Sequence, residues 1–273
     1  MTFTPGQATV FEDAGQIAVL SRAMRKVGRP VVLVPLGRGL HAGHIALIRA
    51  ARRIRGAVVV VAWAGEELPE AFAAESVDAV YRYSQDALWP RGLRTMVWPV
   101  DLDLEPVAET AGRLTLALTL INAVGPSDVV CGEKDYEQLL ALQHAVTDLH
   151  LGVRVLGVPT VRMPDGLAVS LRNARVAEAD REKAVTLSAA LTAGAHVAEH
   201  GADVVLATAR GVLDAAGVAS DYLELRGIDL GDAPEKGDAR LLIAVELGGV
   251  RLTDNVGLPL GIGFKNIEAE QQD

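Results

Sequence analysis

Cysteine is nearly absent from this 273-residue chain, with Cys131 standing alone. No intrachain disulfide framework can staple the fold, and a reducing cytoplasm is the expected setting. Aromatic residues make up only 4%, which leaves the core to aliphatic side chains. Basic residues are outnumbered, 26 Lys and Arg against 35 Asp and Glu for a net charge of −9. A nucleic-acid partner asks for a basic face and is therefore not expected. No apolar run approaches the roughly 20 residues that cross a bilayer. Residues 1–6 also lack the charged-then-apolar pattern of a secretory leader, so neither a membrane span nor export is expected.

What is present is alternation. Continuous Val and Leu runs recur at 31–34, 57–62, 128–131 and 153–158, and the segments between them carry helical periodicity. Unbroken apolar runs mark strands buried on both faces, and their alternation with helices predicts a doubly wound, Rossmann-like parallel sheet of α/β class. Helices are predicted over 11–28, 106–124 and 136–150. The character changes near residue 160, at a Pro- and Gly-bearing connection from Val158 to Gly166. Beyond it an Ala-rich helical stretch (177–200), a second helix (202–217) and two strands near 221–226 and 240–246 predict a smaller α+β domain. The expected organisation is thus 1–160 as a nucleotide-binding domain and 161–273 as a domain that closes over it. The polar tail 265–273 is expected to be mobile.

Chemistry concentrates in three places. Pro35-Leu36-Gly37-Arg38-Gly39-Leu40-His41-Ala42-Gly43-His44 follows the first apolar run and opens a helix. Glycines let a backbone approach a ligand, and the first helical N–H groups favour an anion. Two imidazoles at that helix mouth can reach one polyphosphate, which points to chemistry at an α-phosphate. Gly132-Glu133-Lys134-Asp135-Tyr136-Glu137-Gln138 follows another buried run and falls at the carboxyl edge of the sheet, where open α/β sheets bind ligands. Ser170 and Arg172, two apart in a loop, suit terminal phosphates, the guanidinium through its planar fork.

In order and spacing these clusters resemble the pantothenate synthetase (pantoate–β-alanine ligase) family, within the nucleotidyltransferases of H-x-G-H signature. The likeness continues through Trp89-Pro90-Arg91-Gly92-Leu93-Arg94-Thr95, Gly157 to Arg162, Asp221 to Arg226 and Arg251 to Asn255. It implies a reaction in which an acid attacks the α-phosphate of ATP and the acyl adenylate passes to β-alanine. It also implies Mg²⁺ held by the nucleotide's phosphates and water, and a homodimer. By the same resemblance His41, His44, Lys134, Ser170 and Arg172 serve catalysis. Gly43, Gly132, Asp135 and Val161 bind ATP, and Gln138 binds the acid.

Departures from the family pattern cluster on the acid side. The methionine usual in the first loop is Gly37, and Arg38 stands where glycine is normal. The Asn-Pro-x-Gln segment after the second strand is replaced by Ala62-Trp63-Ala64-Gly65-Glu66-Glu67-Leu68, the lid that follows is shortened, and His-Phe-x-Gly has become Glu109-Thr110-Ala111-Gly112. The second serine of Ser-Ser-Arg-Asn is Leu171. Losing a hydrogen bond to a charged group costs about 1.5–3 kcal/mol, so Arg38 and Trp63 are the expected replacements in the acid pocket. The alternatives are a paralogue with another acid or amine, and a nucleotide-binding regulator without catalysis. Retention of both histidines, Lys134 and Arg172 disfavours the regulator. His196-Val197-Ala198-Glu199-His200 matches a zinc-peptidase string but lacks a third ligand and reads as a solvated face. No dedicated metal site is expected. Cys131, His144 and His150 read as structural.

Overall fold

The computed structural model describes residues 3–263, so the tail expected over 265–273 lies outside the described residues. The chain divides into two compact units, Met1–Val161 and Arg162–Asp273. In the first, chain order runs β1 (Thr9–Phe11), α1 (Ala14–Lys26), β2 (Val31–Pro35), α2 (Ala42–Arg53), β3 (Val58–Trp63), α3 (Glu70–Ala74) and β4 (Ala79–Arg82). Then come α4 (Gln85–Leu88), α5 (Val107–Val124), β5 (Asp128–Gly132), α6 (Tyr136–Asp148) and β6 (Arg154–Val158).

All pairings in this unit's six-stranded sheet are parallel, in the order β1-β4-β3-β2-β5-β6. After β2 the chain works outward through β3 and β4, then returns to place β5 on the other side of β2. That reversal opens a crevice beyond the carboxyl ends of β2 and β5, the position at which such sheets bind ligands. Both glycine-bearing clusters follow these two strands.

Alternation along each strand feeds two cores, as a period-2 element must. Leu33, Val60 and Val129 face Ile17, Leu114 and Leu118 from α1 and α5. Val34, Val61 and Val130 face Leu47, Ile48 and Phe72 from α2 and α3. The predicted helix over 11–28 begins only at Ala14, where the Asp13 carboxylate accepts the Gln16 amide at 2.9 Å. The residues before it, Thr9–Phe11, extend beside β4 as the sheet edge. Neither β1 nor β4 is among the expected strands. One is too short to show a pattern, and Asp78 interrupts the run leading into the other. That buried carboxylate accepts the amides of Gly6 and Val59, each at 2.8 Å, joining strand entries distant in sequence.

In the second unit the Ala-rich stretch yields α7 (Arg181–His196) between two 3₁₀ turns, followed by α8 (Ala202–Ala215). A three-stranded antiparallel sheet follows: β7 (Tyr222–Gly227), β8 (Gly237–Leu247) and β9 (Val250–Leu260). The third strand is a correction to the expected two. It was masked by Asp254, Asn255 and Pro259, yet Gly248-Gly249, with φ of 56° and 76°, makes a hairpin turn that a twisted antiparallel pair favours. Among the described residues no helix is long and apolar enough to cross a membrane.

Candidate active site

The turn after β2 is fastened before it reaches the histidines. The Leu36 amide donates to Ala62 O at 2.8 Å, and the Tyr83 hydroxyl donates to Leu36 O at 3.1 Å. His41 then occupies the N-cap of α2, where its carbonyl accepts the amides of His44 at 2.9 Å and Ile45 at 3.2 Å. A cap residue and the third helical residue share a face, so the two rings meet. They stack with centroids 3.7 Å apart and 19° between planes. The Nδ1 atoms of both rings are buried without a hydrogen-bond partner. Buried polar atoms left this way cost about 1–3 kcal/mol each, and sites that hold such atoms are commonly waiting for a ligand.

Burial pushes the His44 imidazole down to about 4, with His41 adding to the fall and a backbone hydrogen bond at Gly39 opposing it. His41 is also lowered, first by burial and then by the Lys134 ammonium. Both rings are therefore neutral at neutral pH. Gly43 is the second residue of α2, in the first turn of a helix, where backbone N–H groups favour an anion.

Across the crevice, Lys134 Nζ lies 3.4 Å from Asp135 Oδ1, and Asp135 Oδ2 lies 3.6 Å from Arg113 Nη1 on α5. Gln138 is in the first turn of α6, with a buried Oε1 that has no hydrogen-bond partner. A cavity of about 430 Å³ opens here. His44, Gly132, Asp135, Gln138, Arg113 and Gly37 all border it, over an aliphatic wall. A few convergent polar groups on an apolar lining are what a small-molecule site requires. Gly132 has only Leu47 near its missing Cβ, at 4.0 Å. Cys131 also borders the cavity, but burial pushes its thiol up to about 12, which leaves it a small apolar residue.

The two residues expected to rebuild the acid pocket are placed elsewhere. Trp63 is 3% exposed, packs edge-on against Phe72 and donates its indole N–H to Glu67 O at 2.9 Å. It is a core residue, because the end of β3 turns it toward α3. Arg38 is exposed and borders a different cavity, among Glu12, Glu66, Glu67 and Arg82. Val161 closes the first unit just past β6.

In the second unit, Ser170 Oγ accepts the Arg172 amide at 3.1 Å and starts a 3₁₀ turn over Leu171–Arg175. Arg162 holds the approach to that turn, donating to both oxygens of Asp254 at 2.6 and 3.0 Å. His196 ends α7 and His200 follows in a separate 3₁₀ turn. Both rings and Glu199 between them are exposed, as a solvated face requires. Among the described residues no group of three His, Cys, Asp or Glu is placed to hold a metal.

A family model described as pantoate-beta-alanine ligase matches residues 69–257. The chain belongs to the pantoate-beta-alanine ligase family. The pantothenate synthetase of Corynebacterium jeikeium (strain K411) is 49% identical over 98% of this chain and 95% of its own length. The crystal structure of pantothenate synthetase from Thermus thermophilus superposes with a TM-score of 0.79 at 29% identity, covering 91% of this chain and 98% of that one. A pantoate-beta-alanine ligase from Francisella tularensis, complexed with beta-gamma ATP and beta-alanine, shares the fold at TM-score 0.70 and 22% identity, over 91% of this chain and 97% of that one.

The histidine turn precedes the segment matched by the pantoate-beta-alanine ligase model, but the near-full-length relatives span it. Three residues of this family member escaped the sequence reading. Arg113 borders the cavity, Arg162 pairs with Asp254 and donates to Gly166 O, and Glu137 accepts the amides of Leu104 at 3.1 Å and Glu105 at 2.7 Å. Glu137 lies inside the Gly132–Gln138 block and was within reach. Arg162 ends the Gly157–Arg162 likeness but was given no role there, and Arg113 had no local signal.

Proposed function

We propose that this protein joins pantoate to β-alanine at the expense of ATP, with cleavage at the α-phosphate. A carboxylate oxygen of the acid attacks the α-phosphorus. The bond from that phosphorus to the bridging oxygen breaks, and pyrophosphate leaves with the electron pair. The free amine of β-alanine then attacks the acyl carbon, the bond to AMP breaks, AMP departs, and the nitrogen sheds one proton. Both nucleophiles come from substrates, so the protein's work is orientation and charge stabilisation.

The observation that carries this reading is the stacked, neutral pair His41 and His44 at the mouth of α2, each with an unpartnered Nδ1. Neutral imidazoles offer N–H donors to a phosphorane without repelling Lys134, and an arriving anion strengthens them by raising their pKa. Lys134 takes phosphate charge and Asp135 the ribose hydroxyls. Gly43 and Gly132 admit the nucleotide, while Val161 lies beside the adenine. Ser170 and Arg172 bind the outer phosphates. Gln138 accepts from the acid's hydroxyl. Mg²⁺ bound with the nucleotide would neutralise triphosphate charge, with no protein side chain assigned to hold it. A cytoplasmic homodimer completes the proposal; Trp98 and Val100, 53% and 75% exposed, offer apolar surface for it.

The test is pyrophosphate release by the purified protein. Release should require ATP and pantoate together, and AMP should accumulate with amide product once β-alanine is added. No acid-dependent pyrophosphate above background would overturn the reading. Light scattering that returns the mass of one chain would remove the dimer.

A further inference from the structure

The helix α5 carries a stripe at 113, 116, 117 and 120 that walls the cavity below His44 and Gln138. The spacing of three, four and seven is one face of a helix. Leu116, Ala117 and Leu120 make that face apolar, as packing against a cavity wall predicts. Arg113 breaks the pattern at the rim. Among the residues bordering this cavity it is the only Lys or Arg. Its Nη1 lies 3.6 Å from Asp135, beyond good hydrogen-bond distance, while Nη2 pairs with Glu109 one turn back.

We infer that Arg113 is the residue that recognises the acid's carboxylate, resting on the reaction proposed above. This chain lacks the glutamine that its family resemblance leads one to expect after β3, and Trp63 in that region is spent in the core. Arg38 borders an adjoining cavity whose lining includes Glu12, Glu66 and Glu67. With His44 and Asp135 assigned to the nucleotide and the Tyr83 hydroxyl donating to Leu36 O, the side chains left to the acid are Gln138, with its free acceptor, and Arg113. A guanidinium donates to both oxygens of a carboxylate in a bidentate fork. The long contact to Asp135 is the one exchanged when substrate enters, which leaves Asp135 to the nucleotide. Glu109, paired with Nη2, orients the guanidinium from one turn back. The resulting site reads an anionic head through Arg113, a hydroxyl through Gln138 and a branched aliphatic body through Leu116, Ala117 and Leu120. It should select short, branched hydroxy acids.

The experiment compares wild type, Arg113→Met and Arg113→Lys in steady-state pyrophosphate release, varying pantoate at saturating ATP and then ATP at saturating pantoate. The methionine variant should raise KM for pantoate about 10–100-fold, the loss expected for one charged hydrogen-bonded contact. KM for ATP should stay within about twofold and kcat should change less than KM does. Lysine keeps the charge but not the fork, so its KM for pantoate should fall between the two. An unchanged pantoate KM in either variant overturns the inference, as does a rise confined to ATP, which would make Arg113 a positioning residue for Asp135. Absence of turnover in the wild type overturns the parent reading instead, so the two failures are distinct.

Discussion

Replacing His44 by glutamine should make the protein less sensitive to acid, although it removes a residue from the proposed site. The ring is held neutral, with its pKa pushed down from 6.5 to about 4. In the unfolded chain it protonates at its ordinary value, so below pH 6.5 the unfolded state binds a proton that the folded state refuses. The stabilisation is present above pH 6.5 and is lost as pH falls through that value toward 4. At 1.36 kcal/mol per unit, the differential at pH 4.5 is about 2.5 kcal/mol, and solvent screening of a half-buried ring reduces it to about 1 kcal/mol. Urea midpoints at pH 7 and 4.5 measure it. Wild type should lose that much more stability over the interval than His44→Gln. Parallel losses, or a His44 ring signal titrating near 6.5 by NMR, would refute the argument from burial. Adding ATP should raise the His44 midpoint, because a phosphate favours the charged form.

Lys134→Met should let the His41 pKa rise, since the ammonium depresses it, and should slow pyrophosphate release about 100-fold, the usual cost of one transition-state charge contact; NMR titration and kinetics read the two effects separately. Cys131 should resist iodoacetamide at pH 8 in the folded protein and react once denatured, because burial holds its thiol near 12; equal rates in both states would contradict that burial. Gly194→Val should lower the melting temperature by several degrees. A Cβ there would meet Leu241 Cδ2 at 2.7 Å and Val205 O at 3.2 Å, and overpacking of this kind costs about 1–3 kcal/mol.

Some of this molecule was legible residue by residue. Val31 to Val34 and Val58 to Val61 had to be strands covered on both sides, because an unbroken apolar run has no polar face to give water. The glycines and histidines of 37–44 and the charges of 132–138 follow such strands directly, so strand ends alone put them at the sheet's carboxyl edge. β1 and β4 were not legible, since three or four residues carry too little pattern and their pairing to one another spans 70 positions. The polar interior of β9 hid a strand whose Arg162–Asp254 clamp becomes visible only when the loop folds back on it.

The sharpest divergence concerns the acid pocket. From the sequence, Arg38 and Trp63 stood nearest the lost motif and were the natural substitutes. The fold instead turns Trp63 into the core, leaves Arg38 at an adjoining cavity, and puts Arg113, from a different helix, on the same cavity lining as Gln138. The chain by itself determined that a sheet edge carries two imidazoles, a lysine and an aspartate, because each sits next to the local pattern that makes its strand or helix. Which cation borders the cavity beside Gln138 was decided by tertiary structure alone. That depends on how far α5 is rotated against the sheet, and rotation is set by packing with partners distant in sequence rather than by any neighbour along the chain.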